Sequence, residues 1–205
     1  MGDFGDLYEL LQYRKDIGLN IRVERGDRMK QYAAFLRGIN ISGKNRIAMP
    51  ALKQAMEQAG YKRVIPYLNS GNLLFQSEEG EPSEHIHNLI QQQFDLDIPV
   101  HVIKVSRLMD ILKHAPSWWG SDDPSRYDNL IFIINGESAE QLYEQIGEPE
   151  NGLEMVQCHG DVIFWTFDRK RYSKCKWWKK TAQDGIGGKL TIRTAGTIRK
   201  LMAKA

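Results

Sequence analysis

Between Gly38 and Lys44 the chain reads GINISGK, which sets two glycines and a lysine at the spacing of a phosphate-cradling P-loop. Such a loop works through backbone N–H groups that wrap the phosphates, a lysine that reaches the terminal ones, and a Ser or Thr hydroxyl that holds Mg²⁺ as a helix begins. Here Asn45 stands where the hydroxyl belongs. Pro50 suits the first turn of a helix and not its interior, so the helix must wait until about Met49. The loop is therefore longer and differently aimed than one that hydrolyses a nucleotide, and a polar loop that holds some other anion is the reading that remains.

A second chemical signature lies in the C-terminal part. RKRYSKCKWWKK interleaves Arg169, Lys170, Arg171, Lys174, Lys176, Lys179 and Lys180 with aromatic rings, the composition that nucleic-acid surfaces use for phosphate contact and base stacking. A solvated basic face is the plainer explanation of the same run. Trp177 and Trp178 are adjacent, so a helix buries at most one of them well. Cys175 sits between Lys174 and Lys176, whose charges could favour its thiolate, although an incidental surface thiol explains it as simply. Gly185, Gly187 and Gly188 before Lys189 read as a flexible connection. His85 and His87 are two apart on a helix and point to different faces, His101 reads as a strand residue, and His114 and His159 have no nucleophile partner identifiable in the sequence. No Cys/His array has zinc spacing, so neither a metal nor a cofactor is expected.

At 205 residues and 41% hydrophobic content the chain can fold without staples. Two cysteines without a disulfide pattern fit a reducing cytoplasm, and no apolar run is long enough to span a bilayer. The net charge of +2 conceals a division: from Arg169 onward twelve Lys and Arg face one acid, +11, which leaves −9 for the rest. A basic end of this kind either folds back on an acidic body or is offered to a polyanion.

Periodicity supplies the scaffold for these groups. Residues 1–28, of mixed charge and weak pattern, read as an N-terminal extension outside the fold. A first half spans 29–105: strand KQYAAFL, a helix with Leu52, Ala55, Met56 and Ala59 on one face, a hairpin across Asn69 to Asn72, a helix capped by Ser83, and strand IPVHVIK. A linking helix from Ser106 and a Trp-containing loop fill 106–126. The second half, 127–205, repeats the order through YDNLIFIIN, a helix with a Ser138–Gln141 capping box, a hairpin around His159 and Gly160, a short helix from about Lys174, strand LTIR and a C-terminal helix from Ala195. The fold class is thus α+β, two ferredoxin-like βαββαβ plaits. Several strands are apolar on both faces, so each sheet must be covered twice, by the other sheet or by a dimer partner. Trp165 and Phe167 are accordingly read as core and not as an exposed stacking platform.

In a βαββαβ plait the connection after the first strand and the turn between the second and third emerge at the same end of the sheet. Arg37, Gly38, Asn40, Gly43, Lys44 and Asn45 should therefore meet Asn69, Ser70 and Asn72 in a donor-rich rim suited to an anionic ligand. The alternative is that these are turn residues satisfying their own backbones. The stretches YAAFLRGINISGKNRIAMPALKQAM and VIPYLNSGNLLF, with LTIRTAGTIRKL at the far end, resemble the bacterial domain-of-unknown-function family 1697 from about Met29 to Leu201. Members of that family more often carry Arg-Asn-Trp-Asn or a close relative where this chain has Arg193, Thr194, Ala195 and Gly196. The resemblance implies a two-part α/β-plait architecture and a cytoplasmic bacterial protein, with no activity and no catalytic residue attached. The expected function is binding of a phosphate-bearing or other anionic ligand by the loop 37–45. An enzyme acting on a small phosphorylated metabolite ranks second, because no general base is identifiable, and a sequence-nonspecific nucleic-acid binder using the basic run is the third reading.

Overall fold

A computed structural model describes residues 29–205 with the exception of 42, 79, 81, 122 and 135, so the expected extension at 1–28 lies outside the described residues. Strand β1 (Lys30–Leu36) leads through the loop 37–48 into α1 (Met49–Gln58), whose start is fixed by Pro50 in its first turn. β2 (Lys62–Tyr67) and β3 (Asn72–Ser77) form the hairpin, and α2 (Ser83–Phe94) and β4 (Val100–Lys104) complete the first plait. Ser83 is the first helical residue of α2 and not its cap; Pro82 takes the cap position, and no side chain bonds there. The sheet order is β2-β3-β1-β4, antiparallel throughout.

The connecting helix α3 (Val105–Lys113) leads to β5 (Arg126–Ile133), α4 (Ala139–Ile146), β6 (Glu154–His159) and β7 (Val162–Asp168). The Ser138–Gln141 capping box is formed in both directions. In place of the one short helix expected after β7, the chain forms a 3₁₀ turn (Tyr172–Lys174), α5 (Lys176–Thr181) and α6 (Asp184–Gly187), before β8 (Leu190–Thr194) and α7 (Ala195–Met202). The stretch with Gly185 and Gly187 is therefore helical and not a flexible connection. This sheet repeats the order of the first, β6-β7-β5-β8. The molecule thus consists of two ferredoxin-like halves.

Three cores result. The outer face of the first sheet, Tyr32, Ala34, Leu36, Leu73 and Phe75, packs under α1 and α2. Ala33, Phe35, Leu74 and Ile103 from its inner face join Leu130, Phe132, Val162 and Phe164 of the second sheet, with α3 and α7 closing the sides. The two sheets thus cover each other, and Phe35 stacks on Phe132 with ring centroids 4.5 Å apart. The third core lies on the outer face of the second sheet, where α4 and Trp177 pack on Ile131, Ile133, Ile163 and Trp165. Here the second helix is replaced by short pieces, too small to cover the sheet as α1 and α2 cover the first.

Candidate functional site

The loop and the hairpin turn meet at one end of the first sheet: the Leu36 N–H donates to Gly71 O at 2.8 Å. Gly71, at φ 78°, has no room for a side chain, because a Cβ would lie 2.7 Å from that of Leu36. The polar groups that converge here are nonetheless largely engaged with one another. Asn40 donates to Ile47 O and Asn69 O and accepts from the Ile47 N–H; Asn45 donates to Gly38 O. Both asparagines hold positive φ, a conformation their short amides stabilise locally. A small bridge between Ile41 and Lys44 closes the loop tip, with the Lys44 N–H on Ile41 O at 2.9 Å and the Asn40 N–H on Asn45 O at 3.1 Å. The Asn40, Lys44 and Ile47 N–H groups are thus used inside the loop, which closes on itself as a turn.

Asn72 and Arg37 are committed further afield. Arg193, on β8 of the second half, is buried among Asn72 Oδ1, Thr191 Oγ1, Ile192 O, Leu36 O and Ser70 O, and its guanidinium lies over the Phe35 ring. Burial lowers its pKa to about 10. Arg37 Nε donates to Gly187 O at 2.8 Å, and a Cβ on Gly187 would meet Thr181 O at 2.7 Å. Both arginines therefore tie the halves together. Of the loop's cations Lys44 and Arg46 remain exposed.

The basic run assembles around a different element. The Glu154 carboxylate, buried at the start of β6, accepts the N–H groups of Lys176, Trp177 and Trp178 and so caps α5. Trp177 goes into the core with its Nε1 on Gly147 O at 2.9 Å, while Trp178 is 40% exposed. Cys175 is not a surface thiol. It is fully buried, and burial, with Glu154 and Asp168 nearby, pushes it up to about 11, against the lowering its lysine neighbours suggested. Arg171 makes a two-nitrogen contact with Asp168, and this bond holds that carboxyl below its ordinary range. Lys170, Lys174 and Lys179 are exposed; Lys176 and Lys180 are half-buried.

Loop and basic run border one groove of about 780 Å³ on the uncovered part of the second sheet. Its floor is made by Tyr127 and Asn129 of β5, Trp165 and Phe167 of β7, and Ile192 and Thr194 of β8; Tyr172, Trp178 and Arg169 form one wall, and Ile41 from the loop stands at the rim. Tyr172, Trp178, Phe167, Trp165 and Tyr127 form a connected aromatic chain with centroid separations of 4.7–5.4 Å. Arg169 sits over the Tyr127 ring at 5.4 Å. Of the six large hydrophobic side chains exposed among the described residues, four (Ile41, Tyr127, Tyr172 and Trp178) line this groove. Trp165 and Phe167 are buried as expected and also form its floor.

The family model described as protein of unknown function DUF1697 matches residues 29–164. The chain belongs to that family. Among solved structures, a conserved bacterial protein from Streptococcus pneumoniae is similar to this DUF1697 member at 27% identity and a TM-score of 0.70, covering 85% of this chain and 98% of that one. No curated protein matches.

Other chemically capable residues of this DUF1697 member lie apart from the groove. His85 bonds Tyr61 and His87 faces Ile98 and Asp97, so the two diverge as their spacing requires. His114 and His159 stack at 4.9 Å, a pairing that nothing in their sequence separation signals. His101 Nδ1 donates to Ile133 O at 3.1 Å, and its Nε2 is enclosed without a partner. The Asp128 carboxyl, raised by burial, accepts from the Gly120 N–H beside α7 on the opposite sheet face. Among the described residues no cluster of three or more His, Cys, Asp and Glu side chains could hold a metal, and no helix is long and apolar enough to cross a membrane.

Proposed function

We propose that this DUF1697 member binds a phosphate-bearing ligand with a flat ring in the groove over the second sheet. One observation carries the reading: two segments more than a hundred residues apart, the loop 37–46 and the basic run from Arg169, frame a single aromatic-floored opening. Rings supply stacking faces, and Arg169 in the lining supplies attraction for phosphate. The lining contains amide, hydroxyl, phenol and indole groups and no carboxylate, thiol or imidazole, which favours binding over catalysis. The loop contributes the Ile41 rim to this reading. A bacterial cytoplasmic setting is proposed with it, supported by the bacterial relative and by two free thiols, Cys158 and Cys175.

The test is a thermal-shift and tryptophan-fluorescence screen of nucleoside phosphates, sugar phosphates and inorganic phosphate. Ring-bearing phosphates should stabilise the protein and quench its fluorescence, while sugar phosphates and phosphate alone should do neither. Trp178→Ala should weaken binding by about 1–3 kcal/mol, the range of a lost ring–aromatic stack, with the fold intact because the side chain is exposed. A screen in which no ring-bearing phosphate shifts the wild type removes the proposal.

A further inference from the structure

We infer that Asn129 reads the edge of a nucleobase, so that the ring of the ligand is a base and the groove discriminates among bases. The inference rests on the proposed ring-binding groove and sharpens it. Asn129 sits in the middle of the floor, directly across from Trp165 on β7 and from Thr194 on β8, so these three side chains form one row running over the sheet. It is only 3% exposed. One amide N–H is used, on Tyr127 O at 2.9 Å, and that bond fixes which end of the amide is nitrogen. Among the described residues the Asn129 side chain makes no other hydrogen bond, and it lines the groove, so its second N–H and Oδ1 are left to face it. An amide with one N–H and its oxygen unbonded in the floor of a groove is placed to hydrogen-bond a molecule lying there.

Nothing beside it supplies the missing partners. The Thr194 hydroxyl is engaged with Thr197, and the Thr181 hydroxyl donates to the carbonyls of Trp177 and Trp178. The Trp165 Nε1 is enclosed and does not reach the groove either. Asn129 therefore offers the groove one acceptor and one donor, set among aromatic side chains. A phosphate or carboxylate, being acceptors only, could meet the free N–H but would leave Oδ1 facing a like group. A planar ring whose edge carries a donor beside an acceptor fits both the amide and the stacking walls, and the bases have that edge. A free nucleotide and a nucleotide within a single strand share this chemistry.

The test uses the full chain, with AMP, GMP, CMP and UMP and the four corresponding octaribonucleotides titrated by tryptophan fluorescence at fixed salt. The wild type should prefer one base over the weakest by about ten-fold or more, the discrimination that a two-point amide contact provides. Asn129→Leu, similar in shape but without polar atoms, should compress that spread to within about two-fold while retaining stacking and phosphate contact. An analogue of the preferred nucleotide stripped of its exocyclic group should lose the same preference on the wild type, a measurement that needs no variant to fold. Octamers that bind far more tightly than their mononucleotides, with affinity falling as log salt at a slope of about −0.7 per phosphate contacted, identify a strand as the source; equal affinities identify the free nucleotide. Binding that is equal for all four bases and unchanged in Asn129→Leu overturns the inference while leaving the groove as a site. Absence of any nucleotide or octamer binding removes both.

Discussion

At the scale of single residues, the groups set to respond to conditions lie at the junction of the two halves. His101 on β4 reaches Ile133 on β5 with its Nδ1–H, which leaves the neutral tautomer's lone pair on an enclosed Nε2. Burial lowers its pKa below the ordinary 6.5, opposed by the Ile133 carbonyl. Below pH 6.5 the unfolded chain binds a proton that the folded one refuses, so stability is fully present above that value and is lost as the pH falls through the window beneath it. The urea midpoint of the wild type should drop between about pH 7.5 and pH 5, and His101→Gln, which cannot titrate but retains an N–H donor for Ile133, should show a shallower drop. Equal drops in the two proteins would overturn the assignment to His101.

At the scale of elements, α5 is too short to hold itself and is secured by one buried carboxylate. Six residues are well below the length at which a helix is stable alone, so the bonds from Glu154 to three successive N–H groups decide where Trp178 stands. Glu154→Gln presents an amide NH₂ to donors that need an acceptor. It should lower stability by about 1–2 kcal/mol in urea denaturation, and weaken ring-ligand binding through the displaced wall. The element order was legible in the sequence because periodicity switched cleanly between two and 3.6 and the turn residues punctuated it: β1, α1, the capping box on α4 and the β6–β7 hairpin fell within a residue or two of expectation. The groove was not legible. Asn129, Trp165 and Phe167 lie in strands apolar on both faces, where core is the economical reading, and only the break of the second helix into short pieces uncovers them. The loop was legible only as a polar turn, since the residues that cradle an anion are also those that close a turn, and spacing does not distinguish the two. Trp178 beside Trp177 was the one visible signal, because two adjacent rings on a helix cannot both be buried.

At the scale of the whole molecule, the two plaits share a core and a set of crossing bonds, and they should therefore unfold together. Phe35 and Leu74 from one sheet pack with Leu130, Phe132 and Phe164 from the other. Arg193 donates across the junction to Leu36, Ser70 and Asn72, and Arg37 reaches back to Gly187. All five tryptophans, at 118, 119, 165, 177 and 178, lie in the linker or the second half. Tryptophan fluorescence consequently reports the second half and the shared core, whereas far-UV circular dichroism reports both halves. One cooperative unit requires the two urea transitions to coincide. Arg193→Ala leaves the Leu36 carbonyl and Asn72 Oδ1 without their donor, inside a buried junction. This substitution should cost about 3 kcal/mol and move both transitions by the same amount. If the halves were independent, the dichroism curve would split into two steps, and the tryptophan signal would follow only one of them.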